Sequence, residues 1–305
     1  MKPGGSFNWV PRRYSLIDLT NLLMVGVLFL FYLLTLQDLP NLLPAPFLYL
    51  FLVLLVETTV FLRDRYRGRS LAAPLVLLLT VLFLFVAFES LALTLPYFNP
   101  RRYDWLMTAA DHALFGLHPT VWLEGVTHPA LTEGMYILYA FYFPMPVILL
   151  GWMLARRRYR AVSDGVFRYL LCYYGAYVVY FLVPVQGPRF HLANLQSVEL
   201  KGWFLSDPIR GLIDLLEPNK LDAFPSLHAA ILLVTLILAF RENRAMFRWF
   251  LGIGSGILVS LVYLRYHYFS DVIAGLAWGW VSWRLGGRLS NRYDSAMASH
   301  FGDEI

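Results

Sequence analysis

Cysteine and charge are both scarce in this chain of 305 residues. Cys172 is the single cysteine, and Asp, Glu, Lys and Arg together make up 15% of the residues. One cysteine excludes a framework of disulfides within the chain and a metal cluster held by several thiolates. Soluble domains carry charge on about a quarter of their residues, so the composition also excludes an ordinary water-soluble enzyme.

Apolar side chains take the place of the missing charge. They account for 58% of the residues, and the mean hydropathy is +0.56. This composition excludes intrinsic disorder, which requires few apolar residues and much charge. The net charge of +5 would suggest nucleic acid as the partner of a soluble protein, but in a membrane protein it reports basic cytoplasmic loops. We therefore expect an integral membrane protein that binds no nucleic acid.

Eight apolar stretches are candidates for membrane-spanning helices, each of which needs about 20 mostly apolar residues. They cover residues 16–36, 46–62, 71–95, 131–155, 165–184, 225–240, 245–264 and 268–285. The first stretch is too long for a signal-peptide core, and we expect it to remain in the protein. The sixth stretch is short, and only a polar patch divides the last two. The sequence predicts an all-α, polytopic membrane helix bundle of about eight transmembrane helices.

The basic residues predict the orientation, because cytoplasmic loops collect Lys and Arg. With eight spans, one side of the membrane receives seventeen of them, which are Lys2, Arg12, Arg13, Arg63, Arg65, Arg67, Arg69, Arg156, Arg157, Arg158, Arg160, Arg241, Arg244, Arg248, Arg284, Arg288 and Arg292. The opposite side receives seven, which are Arg101, Arg102, Arg189, Lys201, Arg210, Lys220 and Arg265. Both termini are therefore expected in the cytoplasm.

Two long segments, residues 96–129 and 185–224, are then expected on the outer side. The first mixes Trp105, Leu106 and Leu114 with Asp104 and Asp111, a pattern typical of short helices that lie in the membrane interface. We divide the chain into an N-terminal three-helix membrane segment (1–96), a catalytic core (97–287) and a cytoplasmic tail (288–305).

Three polar islands stand at the outer ends of the apolar stretches. Island 1 is Gly187–Arg189, island 2 is Phe224–His228 and island 3 is Tyr266–Asp271. Ionisable groups at membrane depth are costly, and they are candidates for function by default. Since the topology assigns all three islands to one face of the membrane, we expect an active site on the extracytoplasmic side.

The residue types in these islands suit phosphoryl transfer. Pro225 and Ser226 favour the start of a helix, where unpaired backbone N–H groups bind phosphate, and His228 follows directly. His267 and Asp271 are four residues apart, so a helix would place the carboxylate where it can orient the imidazole. Arg189 offers a planar guanidinium to phosphate oxygens. Such a site needs no metal and no cofactor.

At these residues the chain resembles a known family, the type 2 phosphatidic acid phosphatase superfamily. The segments FPSLH and YLRYHYFSDVIAG resemble its second and third motifs, and GPR resembles the end of the first. The resemblance is closest to the branch similar to inositol phosphorylceramide synthase, whose motifs likewise read FPSLH and HYFxD. The segment DWLMTAADHALFG also resembles that branch. The resemblance extends over residues 97–287.

The resemblance implies a role for each matched residue. His267 would be the nucleophile that forms a phosphohistidine, Asp271 its partner, and His228 the acid that protonates the leaving group. Arg189 and Ser226 would hold phosphate. The motif lysine and the motif arginine are replaced by leucines at positions 182 and 261, and Lys220 and Arg265 are candidates to substitute for them.

We expect a membrane enzyme that takes a phospholipid or sphingolipid phosphoester and transfers its phospho head group to an alcohol such as inositol. With water as the acceptor, the same first step gives a lipid phosphatase. A lipid carrier or flippase that uses the polar pocket only for binding is a further alternative. Arg189 would then merely anchor a loop at the head groups. For Glu89, in the third stretch, we expect a pairing with an arginine, and a place in the wall of the acceptor site is the alternative.

Overall fold

The computed structural model describes residues 14–38, 44–66, 72–217 and 219–301. Lys2, Arg12, Arg13, Arg67 and Arg69 of the charge pattern and the last four residues of the predicted tail lie outside these ranges. Helices make up 80% of the described residues, which contain no β-strand. The predicted all-α fold class is thereby confirmed.

Thirteen α-helices follow one another in the described ranges. They are α1 (Leu16–Leu34), α2 (Pro44–Arg65), α3 (Ala72–Phe98), α4 (Asp104–Phe115), α5 (Pro119–Trp122), α6 (Pro129–Ala140), α7 (Pro144–Ala155), α8 (Tyr159–Leu182), α9 (Pro188–His191), α10 (Ser206–Leu216), α11 (Leu227–Glu242), α12 (Arg244–Tyr263) and α13 (Phe269–Phe301).

Six helical segments in the described residues are long and apolar enough to cross a membrane. They are α1, α2, Ala73–Phe98 within α3, the pair α6 and α7, α8, and α12. The chain is therefore an integral membrane protein, as predicted. The sixth and eighth predicted stretches form α11 and α13, which do not meet these criteria. At 16 residues α11 is too short, and α13 is polar over much of its 33 residues.

Protein rather than lipid surrounds α11, which explains how a short helix can lie in the centre of a membrane bundle. It packs against α13, α12, α8 and α7, and ten of its side chains are buried. The contact with α13 is close because Gly275 faces the carbonyl oxygen of Ser226. A Cβ atom at Gly275 would lie 2.2 Å from that oxygen.

The three N-terminal helices join the core helices through α8. Both α1 and α3 pack against it. Leu28 of α1 and Leu91 of α3 belong to the same buried cluster as Tyr177 of α8 and Leu232 of α11. One hydrophobic core thus runs from the N-terminal segment to the helices that carry the polar islands.

The fourth predicted span is broken in the middle, between Ala140 and Pro144. Proline has no backbone N–H and restricts the residue before it, so a helix commonly ends there and a new one begins. The break leaves Tyr139, Tyr142 and Phe143 against the imidazole of His228, with ring centroids 4.9, 4.3 and 6.5 Å from it.

Candidate active site

Backbone hydrogen bonds join the three polar islands to one another. Islands 2 and 3 are joined directly, because the N–H of Ser226 donates to the carbonyl of Asp271 at 3.2 Å. The N–H of Arg189 in island 1 donates at 3.0 Å to the carbonyl of Arg265, the residue before island 3. The N–H of Ala223, the residue before island 2, donates at 3.0 Å to the carbonyl of Val185, two residues before island 1. The structure thus brings together the segments that the sequence assigned to one place.

Gly187 is required where the chain turns into island 1. Its φ is +97°, which L side chains rarely adopt, and a Cβ atom would lie 2.9 Å from the carbonyl oxygen of Tyr266. The buried carboxylate of Asp104 in α4 holds the turn, since it accepts from the N–H groups of Gln186 at 3.0 Å and Gly187 at 2.8 Å. It also accepts from the hydroxyl of Tyr268 at 3.1 Å.

The two histidines of islands 2 and 3 are in direct contact. Nδ1 of His228 lies 3.2 Å from Nε2 of His267. Nδ1 of His267 lies 2.9 Å from the carbonyl oxygen of Ala223, which only accepts, so this nitrogen carries the proton. The lone pair of His267 is then on Nε2, the atom that faces His228. Both rings are buried.

Asp271 lies beside His267, as the four-residue spacing predicted. Its Oδ2 is 3.6 Å from Nδ1 of His267 and accepts from the N–H of Tyr268 at 2.9 Å. The carboxylate is fully buried. A second acid, Asp111 of α4, accepts from the N–H groups of Phe269 and Ser270 at 3.0 and 2.8 Å and caps α13. The first turn of α13, which carries Asp271, is therefore fixed from α4.

Sequence reasoning missed two side chains that contact His228. Tyr139 of α6 places its hydroxyl 2.7 Å from Nε2 of His228, and an oxygen of Glu217 lies 3.2 Å from the same nitrogen. The helix-breaking Pro144 was the available signal for Tyr139. Glu217 directly follows α10, and nothing in its spacing relates it to island 2.

Arg189 meets an acid in this structure. Its guanidinium forms two parallel hydrogen bonds with Asp214 of α10, at 2.8 and 3.0 Å, and Nζ of Lys220 reaches the same carboxylate at 3.3 Å. Burial raises the pKa of Asp214, but the hydrogen bond and charge of Arg189 outweigh burial, and the pKa lies below its ordinary value. The two cations that we assigned to phosphate, Arg189 and Lys220, are thus both paired with the carboxylate of Asp214.

The remaining predicted phosphate ligands differ in their surroundings. Arg265 borders the same cavity as Arg189, but its guanidinium is bound to Glu124 at 2.7 Å and to the carbonyl of Val198 at 2.9 Å. Ser226 is fully buried, and its hydroxyl caps α11 by accepting from the N–H of Ala229 at 3.4 Å.

A cavity of about 360 Å³ opens in front of the histidines. Its polar wall consists of Gln186, Arg189, Glu217, Asn219, Lys220, Asp222, His228, Arg265 and His267. Its other wall consists of apolar and aromatic side chains, most of them from α3, α6 and α8. Burial, and next the charge of Glu217, raise the pKa of Asp222 to about 8. The site therefore combines one acidic corner, formed by Glu217 and Asp222, with three cations and a pair of imidazoles.

Glu89 does not fulfil the expectation of an arginine partner, because its buried Oε1 has no hydrogen-bond partner among the described residues.

Comparison with known families gives one match. A family model described as PAP2 superfamily matches residues 104–285, more than half of the chain and all three polar islands. Searches of curated proteins and of solved structures return no match.

Proposed function

The chain belongs to the PAP2 superfamily, and from that premise we propose that it is a membrane phosphotransferase that passes the phospho head group of a lipid to an alcohol such as inositol, through a phosphohistidine. Membership in this family indicates a membrane enzyme of the lipid phosphatase or phosphotransferase type. One observation carries the proposal further: Nε2 of His267 faces Nδ1 of His228 at 3.2 Å, beside a cavity that holds Arg189 and Lys220.

In the first step, the lone pair on Nε2 of His267 attacks phosphorus. The phosphorus–oxygen bond to the leaving alcohol breaks, and Nδ1–H of protonated His228 gives its proton to that oxygen. Glu217 lies 3.2 Å from Nε2 of His228, where it accepts from the other N–H of the protonated ring. Because the two rings are in hydrogen-bond contact, the phosphoryl group has to separate them when it binds.

In the second step, His228 removes a proton from the acceptor hydroxyl, the acceptor oxygen attacks phosphorus, and the phosphorus–nitrogen bond breaks. Glu217, Asn219 and Asp222 line the cavity on the same side as His228. Carboxylates and a carboxamide bind hydroxyl groups well, so this corner favours an alcohol over water. The leucines at positions 182 and 261, in place of two phosphate ligands, also favour the transferase branch.

We also propose that the histidines lie at the extracytoplasmic face and that both termini are cytoplasmic. The arginines at the other end of the bundle support this orientation. There, Arg63 pairs with Asp18 at 2.6 Å and Arg158 pairs with Glu242 at 2.6 Å. Clustered arginines at helix ends are typical of the cytoplasmic side.

Replacement of the nucleophile tests the mechanism. Purified His267→Ala protein should lose turnover of labelled lipid phosphoesters and should accumulate no acid-labile phosphoprotein. His112→Ala, an exposed histidine of α4, is the matched control and should retain both. Full activity of His267→Ala would contradict the proposal.

The acceptor is identified with the unaltered protein, labelled lipid and added inositol. A phosphorylated inositol product would identify the transferase, and free phosphate in equal yield with and without inositol would identify a phosphatase. Movement of lipid between vesicle leaflets with the head group intact would favour the carrier.

A further inference from the structure

We propose that α3 forms the binding site for one hydrocarbon chain of the lipid donor, in a cleft that leads from the histidines into the membrane-spanning part of the bundle. The inference deepens the proposed function and rests on it, since it takes the lipid phosphate to lie at His267. It concerns a helix outside the family match, which begins at residue 104.

The cleft consists of two cavities that share a wall. The cavity in front of the histidines, of about 360 Å³, and a second one of about 190 Å³ are both lined by Val81, Leu84, Tyr142, Phe143 and Tyr173. We call the combined space the α3 cleft. It begins at His228 and His267 and continues past these shared residues to Leu77 and Val166.

One face of α3 supplies an apolar wall along this path. Leu77, Val81, Leu84 and Phe88 recur at intervals of three and four residues, so they form one stripe on the helix. Thr80, the polar member of this face, donates its hydroxyl hydrogen bond to its own helix at 2.9 Å. A wall of this kind fits hydrocarbon and offers no ligand to a head group.

The polar atoms of the two tyrosines shared by both cavities are hydrogen-bonded. The hydroxyls of Tyr142 and Tyr173 lie 3.2 Å apart and bind each other. Their rings, with Phe143, complete an aromatic side opposite the aliphatic stripe. The charged and amide side chains that line the cleft all belong to the cavity at the histidine end. From the histidine end inward, the walls of the cleft thus change once from polar to apolar, in the same order as the head group and the hydrocarbon chains of a phospholipid.

The length of the cleft agrees with one lipid chain. Leu77 and Phe88 are eleven residues apart on α3, which is about 16 Å of helix at a rise of about 1.5 Å per residue. The hydrocarbon core of a bilayer is about 30 Å thick. The α3 cleft is therefore about as long as one leaflet is deep, which is the length of the chains of a single lipid.

The cleft opens sideways to the bilayer. Val81, Phe85 and Val147 line it and are also 48%, 45% and 64% exposed. On membrane-spanning helices such exposure faces lipid. The opening lies between α3, which packs against α1, α2 and α8, and α7, which packs against α8 and α11. A lipid can enter here with its phosphate leading toward His267.

Photolabelling tests occupancy independently of turnover. The probe is phosphatidic acid with a diazirine near the end of one acyl chain, incorporated into vesicles with the full-length protein. Mass spectrometry should find the label on α3 and α7, around Leu84 and Val147. Leu84→Trp should reduce this labelling at least fivefold, and Leu78→Trp should not. Leu78 is on the same helix, is 63% exposed and does not line the cleft.

Two labelling results would overturn the inference. One is label spread evenly over the lipid-facing helices, and the other is label in the cleft that Leu84→Trp leaves unchanged.

Turnover provides the second readout. Leu84→Trp should lower kcat/KM for dipalmitoyl phosphatidic acid at least tenfold, the loss expected when about two methylene groups are excluded from an apolar site. Leu77→Trp, at a residue that lines the second cavity and not the one at the histidines, should also lower kcat/KM for dipalmitoyl phosphatidic acid and should leave kcat/KM for dibutyryl phosphatidic acid unchanged. Equal loss on both lipids would contradict a chain-binding role. Cleft labelling without turnover of either lipid by unaltered protein would refute the proposed function and leave the α3 cleft as a lipid site.

Discussion

In the proposed mechanism, Asp214 competes with the substrate phosphate for Arg189 and Lys220, so removal of its charge should strengthen the binding of phosphate analogues. The substitution is Asp214→Asn, which keeps the size of the side chain and removes its charge. In the structure this carboxylate accepts two hydrogen bonds from Arg189 and one from Lys220. A phosphate has to displace it before it can bind the same two cations.

The magnitude follows from the exposure of the pair. Arg189 and Asp214 are 30% and 33% exposed, so water screens their attraction, and bidentate geometry makes it worth about 1 kcal/mol. Loss of that competition should tighten binding about fivefold. Because the pKa of Asp214 lies below its ordinary value, the competitor stays charged throughout the neutral range. The gain should therefore be the same on either side of neutral pH.

Calorimetric titration of the purified protein with orthovanadate measures this effect without turnover. The control is Asp207→Asn, which removes an equal charge from an exposed position on the same helix, α10. Vanadate should bind about fivefold more tightly to Asp214→Asn than to the control. If Asp214→Asn binds vanadate more weakly, the carboxylate positions Arg189 for phosphate, and the reasoning from competition is refuted.

Two further predictions concern stability, measured as thermal unfolding through exposure of the single cysteine, which is buried, to a thiol-reactive fluorophore. Gly275→Ala places a Cβ atom 2.2 Å from the carbonyl oxygen of Ser226, so the protein should lose about 1–3 kcal/mol and several degrees in Tm. Gly252→Ala, where nothing lies within 4 Å, should not; equal losses would contradict the packing argument. Burial and the charge of Glu217 raise the pKa of Asp222 to about 8. The folded state then binds the extra proton, so stability should fall as pH rises from the ordinary value of 3.8 toward 8. Asp222→Asn should flatten that slope, and an unchanged slope would show that another group causes it.

The sequence predicted the elements whose signal is local. Runs of apolar residues located the spanning helices to within a few residues, since hydrocarbon thickness dictates their length. The proximity of His267 and Asp271 was predicted from their four-residue spacing, although α13 begins at Phe269 and His267 lies just before this helix. That island 2 joins them followed from topology, because alternate crossings return the chain to the same face.

The parts of the site that the sequence did not predict depend on contacts between distant segments of the chain. From the sequence, Asp104 and Asp111 were interpreted as the polar side of an interfacial helix. In the structure both side chains are buried, and they accept hydrogen bonds from the backbone of islands 1 and 3. Asp214 lies on α10 and Glu217 directly follows it, so their positions beside Arg189 and His228 are set by the way this helix packs in the tertiary fold. No spacing rule in a single sequence encodes such pairs.

Contacts with neighbouring helices also explain why α11 and α13 do not meet the criteria for a membrane-spanning helix. Length and hydropathy rules assume a helix surrounded by lipid, whereas neighbouring helices surround α11 and close contacts with α11 hold α13. A helix in that environment needs small and polar residues for close contact, as at Gly275. Composition therefore identifies such helices poorly.

The backbone hydrogen bonds among the three islands bear on how such an enzyme can diverge. Every residue except proline supplies a main-chain N–H, and all residues supply a carbonyl, so these bonds place no requirement on side chains. Beyond them, the frame around the histidines requires Gly187 and the carboxylates of Asp104 and Asp111. Positions 182 and 261 carry leucine where the motif resemblance implies cations, and the islands still meet. Substrate specificity can thus change by exchange of side chains while the backbone frame stays constant. A new specificity can then evolve without loss of the folded structure.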